Sequence, residues 1–354
     1  MPTVIVPSPL RRYTEGQSRV QVGGSTLREA IDSLEQHFPG VKSRMCDESG
    51  QIRPYVNVFV NGEEIRTLQG IATVLGEEDE VSVVPAMAGG RKTHVQVRNE
   101  DRVDTLTDYD RTRYGRQMMI DGWGEEGQTK LKTSSVFIAG AGGLGSPVSI
   151  YLAVAGVGEL RICDADRPEL SNLNRQILHT DARIGELKAV SAEKTLRELN
   201  PTVRIVTYSE YLDEKSVERI VGKPDIVVDC LDNFETRYLL NSYCVKNNTP
   251  FVHGAIWGMI GQVTFLHPPE TPCLECLVPE PPPKEVFPVV GVTPGVIGCI
   301  QAMEVLKFLT GVGTPLKGRL LVFDGEEMIF TSANVKRMPS CQECGSITDP
   351  NTTN

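Results

Sequence analysis

Between the strand-like run SSVFIAG and the helix-like run SPVSIYLAVAG, the chain reads Gly140-Ala141-Gly142-Gly143-Leu144-Gly145. Glycines at a strand-to-helix turn let the backbone approach a phosphate. The helix start adds N–H donors and positive potential. About 20 residues further on, at the end of the next strand-like run, Asp164 stands where a carboxylate can accept ribose hydroxyls. This much is also a dinucleotide fingerprint, so an NAD- or FAD-dependent oxidoreductase is a rival reading. The residues that follow favour a different nucleotide. Asn172 and Arg175 lie in SNLNRQ, just after the acidic pair Asp164 and Asp166. Lys188 opens the next helix-like run, and DCLDN ends another strand-like run, putting Asp232 at the mouth of the sheet. Cations and a carboxylate around one phosphate-binding turn suit ATP with Mg²⁺ better than a pyrophosphate diester. A triphosphate carries more charge, and Mg²⁺ prefers carboxylate and phosphate oxygens.

A second chemistry lies in the nine cysteines, of which four form two pairs: Cys273-Leu-Glu-Cys276 and Cys341-Gln-Glu-Cys344. Each pair can grip one side of a tetrahedral ion. Four thiolates leave no position for water, so the expected ion is a structural Zn²⁺. A redox-active CxxC is the alternative, but neither pair opens a thioredoxin-like helix. The scattered remainder, in a chain this long, argues against a disulfide framework. The third feature is Ala86-Met87-Ala88-Gly89-Gly90, which reads like a chain terminus yet continues into Arg91.

Around these features the patterning sets out two domains and a linker. Runs 3–9 and 19–24 suggest two strands joined by a turn. STLREAIDSLEQHF follows, with Ser25 as the expected N-cap and a stripe of Leu27, Ala30, Ile31, Leu34 and Phe38. YVNVFVNG reads as a strand entering an Asn-Gly turn, and EVSVVPA as a last strand. Strand-strand-helix-strand-strand is the order of a β-grasp domain, expected over residues 1–90. Residues 91–107 are polar and weakly patterned, hence a linker, and 349–354 a disordered tail. From residue 108 to 348, strand and helix patterns alternate as in a doubly wound, Rossmann-like α/β sheet.

Residues 1–90 resemble the ubiquitin-like sulfur carriers of the MoaD/ThiS type, which end in Gly-Gly. YVNVFVNGEEIR, LEQHFPGVKSRM and DEVSVVPAMAGG are most similar to the carrier used in cysteine biosynthesis. Residues 108–348 resemble the MoeB/ThiF adenylyltransferases, bacterial relatives of ubiquitin-activating enzymes. The stretches that carry this are RYGRQMMIDGWGEEGQTKLKTSSVFIAGAGGLGSP, DADRPELSNLNRQILH, IGELKAVSA, DCLDNFETRYLLN and GVIGCIQAMEVLKFL. The resemblance implies ATP-dependent adenylation of a carrier's C-terminal glycine carboxylate, leading to a thiocarboxylate that feeds cysteine, molybdopterin or another sulfur product. It assigns Asp164 to the ribose and Asn172, Arg175 and Lys188 to the phosphates. Gly140, Gly142, Gly143, Gly145, Asp166 and Asn233 complete the nucleotide set, and Asp232 takes Mg²⁺. Arg116 resembles the family arginine that reaches the ATP of a neighbouring subunit, which implies a homodimer. The family uses paired CxxC motifs for structural zinc. Many members also carry a cysteine in the loop after the first pair, and residues 277–298 contain none. Cys230, Cys244 and Cys299 read as core, so sulfur is expected directly from an external donor, for delivery to a downstream sulfur-accepting synthase. Conjugation of the β-grasp domain as a protein modifier is the alternative within the same chemistry.

Adenylation needs a free carboxylate, and Gly90 is in a peptide bond. The expectation is cleavage behind Gly90 by a processing metalloprotease, or service to another carrier in trans. A net charge of −10 argues against a nucleic-acid partner. No apolar run approaches the length that spans a membrane, and the start MPTVIVPSPLRRY lacks the order of a signal peptide, so the expected location is the cytoplasm.

Overall fold

The structure, a computed structural model, describes residues 1–11, 13–53, 56–85, 105–283 and 288–347. Gly89 and Gly90, residues 91–104 of the expected linker and the tail 349–354 lie outside the described residues. The chain divides into two compact units, Met1–Arg98 and Asn99–Asn354.

In the first unit β1 (Thr3–Ile5) and β2 (Arg19–Gln21) are shorter than their patterns suggest, and a one-turn helix, α1 (Ser8–Arg11), interrupts the connection. Helix α2 (Leu27–His37) buries Leu27, Ala30, Ile31 and Leu34, the stripe expected of it. Its cap is Thr26 rather than Ser25: the Thr26 side chain accepts the Glu29 N–H, while the Glu29 carboxylate takes the N–H and hydroxyl of Ser25. Spacing decides this, because Glu29 is three residues after Thr26, as a capping box requires. After the short α3 (Lys42–Met45), β3 (Val56–Val60) and β4 (Glu63–Glu64) are joined through Asn61 and Gly62. Both have positive φ (51° and 86°), as a tight hairpin turn needs. β5 (Glu80–Pro85) completes the order β2-β1-β5-β3-β4, with β1 and β5 parallel and the other pairs antiparallel. This is the β-grasp arrangement. Val4, Val20, Leu34, Val58 and Val81 belong to its separate core.

The second unit opens with α4 (Asp108–Met118) and α5 (Gly124–Thr133). Then β6 (Ser135–Ala139), α6 (Gly145–Ala155), β7 (Glu159–Cys163), α7 (Lys188–Leu199) and β8 (Arg204–Tyr208) alternate. α8 (Val217–Val221), β9 (Ile226–Asp229), α9 (Phe234–Lys246) and β10 (Phe251–Trp257) continue the pattern. β11 (Ile260–Leu266), α10 (Leu274–Leu277), α11 (Val292–Thr310), β12 (Arg319–Asp324) and β13 (Ile329–Asn334) close it. The eight strands lie in the order β13-β12-β11-β10-β9-β6-β7-β8, parallel from β10 to β8 and antiparallel from β10 to β13. Because β6 pairs with β7 on one side and β9 on the other, the direction of winding reverses at β6. A crevice opens there at the carboxyl ends of the strands.

Side chains of β6 alternate between two cores: Val136 and Ile138 pack with Leu152, Leu196 and Val305, while Phe137 and Ala139 pack with Leu240 and Tyr243. Helices therefore cover both faces, and that forces the strands to be apolar throughout. α11 is the exception to the expectation about apolar runs, with 19 residues and a mean hydropathy of 1.3 in its best window. Its Ile297, Ala302 and Val305 lie in the same core as Leu144 and Val148 of the α6 region, and Gln301 and Glu304 are buried with them.

Candidate functional site

The glycine turn bridges the end of β6 and the start of α6, and two of its glycines are required by contact. Gly140 has φ +100°, and a Cβ there would lie 2.7 Å from the Cys230 carbonyl oxygen beyond β9. A Cβ on Gly145 would lie 2.0 Å from the Gly140 carbonyl oxygen. Gly142 has open space by comparison, its nearest neighbour being Gln176 Nε2 at 3.6 Å. Ala141 is gripped at both ends. Its N–H donates to Asp164 Oδ2 (2.8 Å), and its carbonyl accepts from His179 Nε2 (2.9 Å). With Nε2 donating, His179 Nδ1 accepts from the Ser191 hydroxyl at 2.9 Å. Burial holds this imidazole below its ordinary pKa, which suits the neutral ring the two bonds require. Among the described residues, no acceptor takes the N–H groups of Gly142, Gly143 or Leu144. Free amides at a helix start form a cradle for an anion.

The structure brings most of the expected charged residues to this turn. Arg175 places its Cδ 3.6 Å from where a Gly143 Cβ would stand. Its Nη1 donates to the Ser171 carbonyl (3.1 Å) and to Asn174 Oδ1 (3.0 Å), and it has no carboxylate partner among the described residues. Asn172 Oδ1 accepts the Glu169 N–H at 3.2 Å, which fixes the loop that carries Arg175. Lys188, the first residue of α7, is only 7% exposed, and its Nζ lies 3.1 Å from Asp166 Oδ2. Asp164 uses Oδ1 to accept the Asp166 N–H (2.9 Å), so its carboxylate ties the glycine turn to the loop after β7. Asp232 is exposed, three residues past the end of β9, with no ion-pair partner among the described residues. Asn233 caps α9, its Oδ1 accepting the Thr236 N–H at 2.9 Å. Asn172 and Asn233 thus each spend the side-chain oxygen on shaping the backbone.

Arg116 is not at the turn. The next residue, Gln117, donates to the carbonyl of Ala155 (2.8 Å), the last residue of α6, whereas the glycine turn adjoins its first. Eleven residues of helix separate the two ends, a rise of about 16 Å. Arg116 is exposed and stands beside the far end of α6 from its own chain's turn.

Buried polar residues that escaped sequence reading include His179, Asp229, Arg237, His253 and Gln301. The available signal was a charged or imidazole side chain in an otherwise apolar strand, as in IVVD and PFVHG. Burial works against ionisation of Asp229, but Arg237 and His253 outweigh it, and the carboxyl is held below its usual range.

The four paired cysteines converge. Their sulfurs lie within 4.8 Å of one another, with Sγ–Sγ distances of 3.9 Å (Cys273–Cys276), 3.6 Å (Cys273–Cys341) and 3.5 Å (Cys276–Cys344). A disulfide needs about 2.05 Å. Four sulfurs about 2.3 Å from one tetrahedral ion stand about 3.8 Å apart, which is what is found. Burial pushes the Cys344 thiol up to about 12, a cost that a bound divalent cation removes by taking the place of the proton. The donor set fits Zn²⁺. The Met338 N–H, 3.4 Å from Cys276 Sγ, adds a donor to one thiolate. Elsewhere burial raises the thiols of Cys163 (to about 12), Cys230, Cys244 and Cys299, so none is poised as a thiolate nucleophile. A cavity of about 270 Å³ lies beside the cysteine cluster, lined by residues including His253, Gln262, Cys276 and Leu320. None of the nucleotide candidates lines it.

Known protein families match both units of the chain. Residues 114–344 match the ThiF family and residues 4–90 the ThiS family. The chain is 45% identical over 240 residues to the adenylyltransferase and sulfurtransferase MOCS3-1 of Zea mays, covering 66% of this chain and 51% of that protein. It is 46% identical over 244 residues to the sulfur carrier protein adenylyltransferase of Thermus thermophilus, covering 66% and 90%. It thus spans about half the length of the maize relative and most of the Thermus one. A crystal structure of E. coli MccB with ATP superposes with a TM-score of 0.60 at 26% identity, over 68% of this chain and 76% of that one.

Proposed function

The chain belongs to the ThiF family and carries a ThiS-like unit ahead of it, and from that premise we propose that it uses ATP to adenylate the C-terminal glycine carboxylate of a ubiquitin-like sulfur carrier. One observation carries the reading. Three unclaimed turn amides, the unpaired Arg175 and the nearly buried Lys188 converge where the sheet opens, so the crevice is organised for a polyanion.

A glycine carboxylate, with a pKa near 3.5, is ionised at neutral pH and needs no general base. Its oxygen forms a bond to the α-phosphorus as the bond to the bridging oxygen of pyrophosphate breaks. The chain's work is positioning and neutralisation. The turn amides and Arg175 hold phosphate oxygens, Lys188 exchanges Asp166 for phosphate, and Asp164 offers its remaining lone pairs to the ribose. Asp232, exposed and unpaired, would hold Mg²⁺, which offsets phosphate charge when bound. Sulfide then displaces AMP from the acyl-adenylate and leaves a thiocarboxylate; a persulfide donor would leave an acyl disulfide, which an external thiol reduces to the thiocarboxylate. No cysteine of this chain is needed for that step.

The carrier is its own first unit, released by cleavage behind Gly90, and cysteine synthesis is the favoured destination of the sulfur. Arg116, held at the far end of α6, serves the site of a second copy, so the working form is a homodimer. ATP–pyrophosphate exchange with a 1–90 fragment supplied in trans tests the reading. Exchange should require a free Gly90 carboxylate and be lost in Arg175→Ala. A chain that exchanges no pyrophosphate with this fragment would refute it.

A further inference from the structure

The Asp232 carboxylate has no partner among the described residues, yet the backbone on both sides of it is held. After β9, the Cys230 N–H donates to the Ala139 carbonyl at 2.9 Å. Leu231 is pinned twice: its N–H donates to Asp229 Oδ1 (3.0 Å) and its carbonyl accepts from Arg237 Nη2 (2.5 Å). On the other side Asn233 is fixed as the cap of α9. The Asp229 carboxylate is fully buried and cannot itself meet a solvated ion. Its Oδ2 takes His253 Nδ1 at 2.7 Å and forms an ion pair with the Arg237 guanidinium, whose Nε lies 3.1 Å away. Arg237 also donates to the Gly254 carbonyl (3.1 Å) and lies over the Phe234 ring, 5.0 Å from its centroid. From α11, Gln301 Nε2 reaches the Asp229 carbonyl at 2.7 Å. Gly254 is what admits Gln301, since a Cβ there would lie 2.4 Å from its amide carbon.

A buried ion pair costs desolvation and is weak evidence for stability by itself. Here two of the bonds it makes beyond the pair, one from each member, close on Leu231 beside one exposed carboxylate, which is a positioning arrangement. We infer that Asp229, Arg237 and His253 form a clasp whose role is to present Asp232 to the Mg²⁺–triphosphate. The clasp rests on the adenylation reading only for the ion it serves. Arg237 and Asp229 are positioning residues that act through Asp232.

Two measurements on the full chain test this. In hydrogen exchange followed by NMR, Arg237→Gln and Asp229→Asn should each speed exchange at the Leu231 amide by about tenfold or more. Val227 and Val228 in β9 should keep their protection. Arg237→Lys, which keeps the charge but not the fork, should give an intermediate rate and covers the case in which Asp229→Asn does not fold. In pyrophosphate exchange, Arg237→Gln should raise the Mg²⁺ concentration for half-maximal rate by about tenfold and leave the KM for ATP within about twofold. Added to Asp232→Ala, it should cost no further activity. Unchanged Leu231 exchange in both Arg237 variants, or losses that multiply in the double variant, would overturn the inference. If the unaltered chain exchanges no pyrophosphate, the adenylation reading falls, and the Leu231 amide still decides whether the clasp exists.

Discussion

Gly142 and Gly145 stand three residues apart in one turn, and the structure gives them different reasons to be glycine. A Cβ on Gly145 meets the Gly140 carbonyl oxygen at 2.0 Å, an atom of the backbone that cannot rotate away. Relief requires α6 to move off β6, and overpacking of this kind costs about 3 kcal/mol or more. For a unit of this size that corresponds to a fall of about 6–12 °C in Tm. A Cβ on Gly142 finds Gln176 Nε2 at 3.6 Å and Cδ at 4.0 Å, ordinary contact, so Gly142→Ala should leave stability within about 0.5 kcal/mol. Its methyl group, however, would add bulk to the turn that carries the free amides. Affinity for an ATP analogue should fall by about tenfold or more, about 1.4 kcal/mol. Scanning calorimetry of the two variants and titration calorimetry with a non-hydrolysable analogue check both halves. The argument fails if Gly142→Ala melts as low as Gly145→Ala, or if it binds the analogue as tightly as the unaltered chain.

Four further outcomes are expected. Metal analysis should find one Zn²⁺ per chain, and Cys341→Ser should lose it and lower the Tm, because the ion links α10 to the C-terminal segment. His179 and His253 are both held below the ordinary imidazole pKa by burial, so the unfolded chain binds protons that the folded one refuses. Stability should therefore be fully present above about pH 6.5 and fall with acid by up to about 1.4 kcal/mol per pH unit for each ring, with a shallower slope in His179→Gln by denaturant titration. Arg116→Ala and Asp232→Ala chains should each keep only a small, measurable residual activity. Mixed and allowed to re-assort, they should regain about a quarter of the sites, whereas no recovery would place Arg116 outside the site. Cys299→Ala should still yield carrier thiocarboxylate by intact-mass analysis, and its loss with adenylation intact would make that half-buried thiol a participant.

What could be read from the sequence, and what could not, divides at the two carboxylates of DCLDN. Alternation of strand and helix, the glycine turn and the cysteine pairs are local patterns, and the structure contains each of them. The Thr26 cap could be read too, by counting back three residues from Glu29. Asp229 and Asp232 are harder, because both follow an apolar run at the mouth of the sheet and either could face a ligand. Strand alternation stops at Asp229, so period two says nothing about the next three residues. What separates the pair is distant in sequence: His253 is 24 residues beyond Asp229, and Gln301 is 72. Those partners reach Asp229 because β9 lies between β6 and β10, an order set by packing rather than by any short motif. Burying a carboxylate without a cation would cost several kcal/mol. Arg237 and the polar groups around it must therefore have come into the core together with Asp229. Asp232, three residues on and free of that constraint, is left exposed.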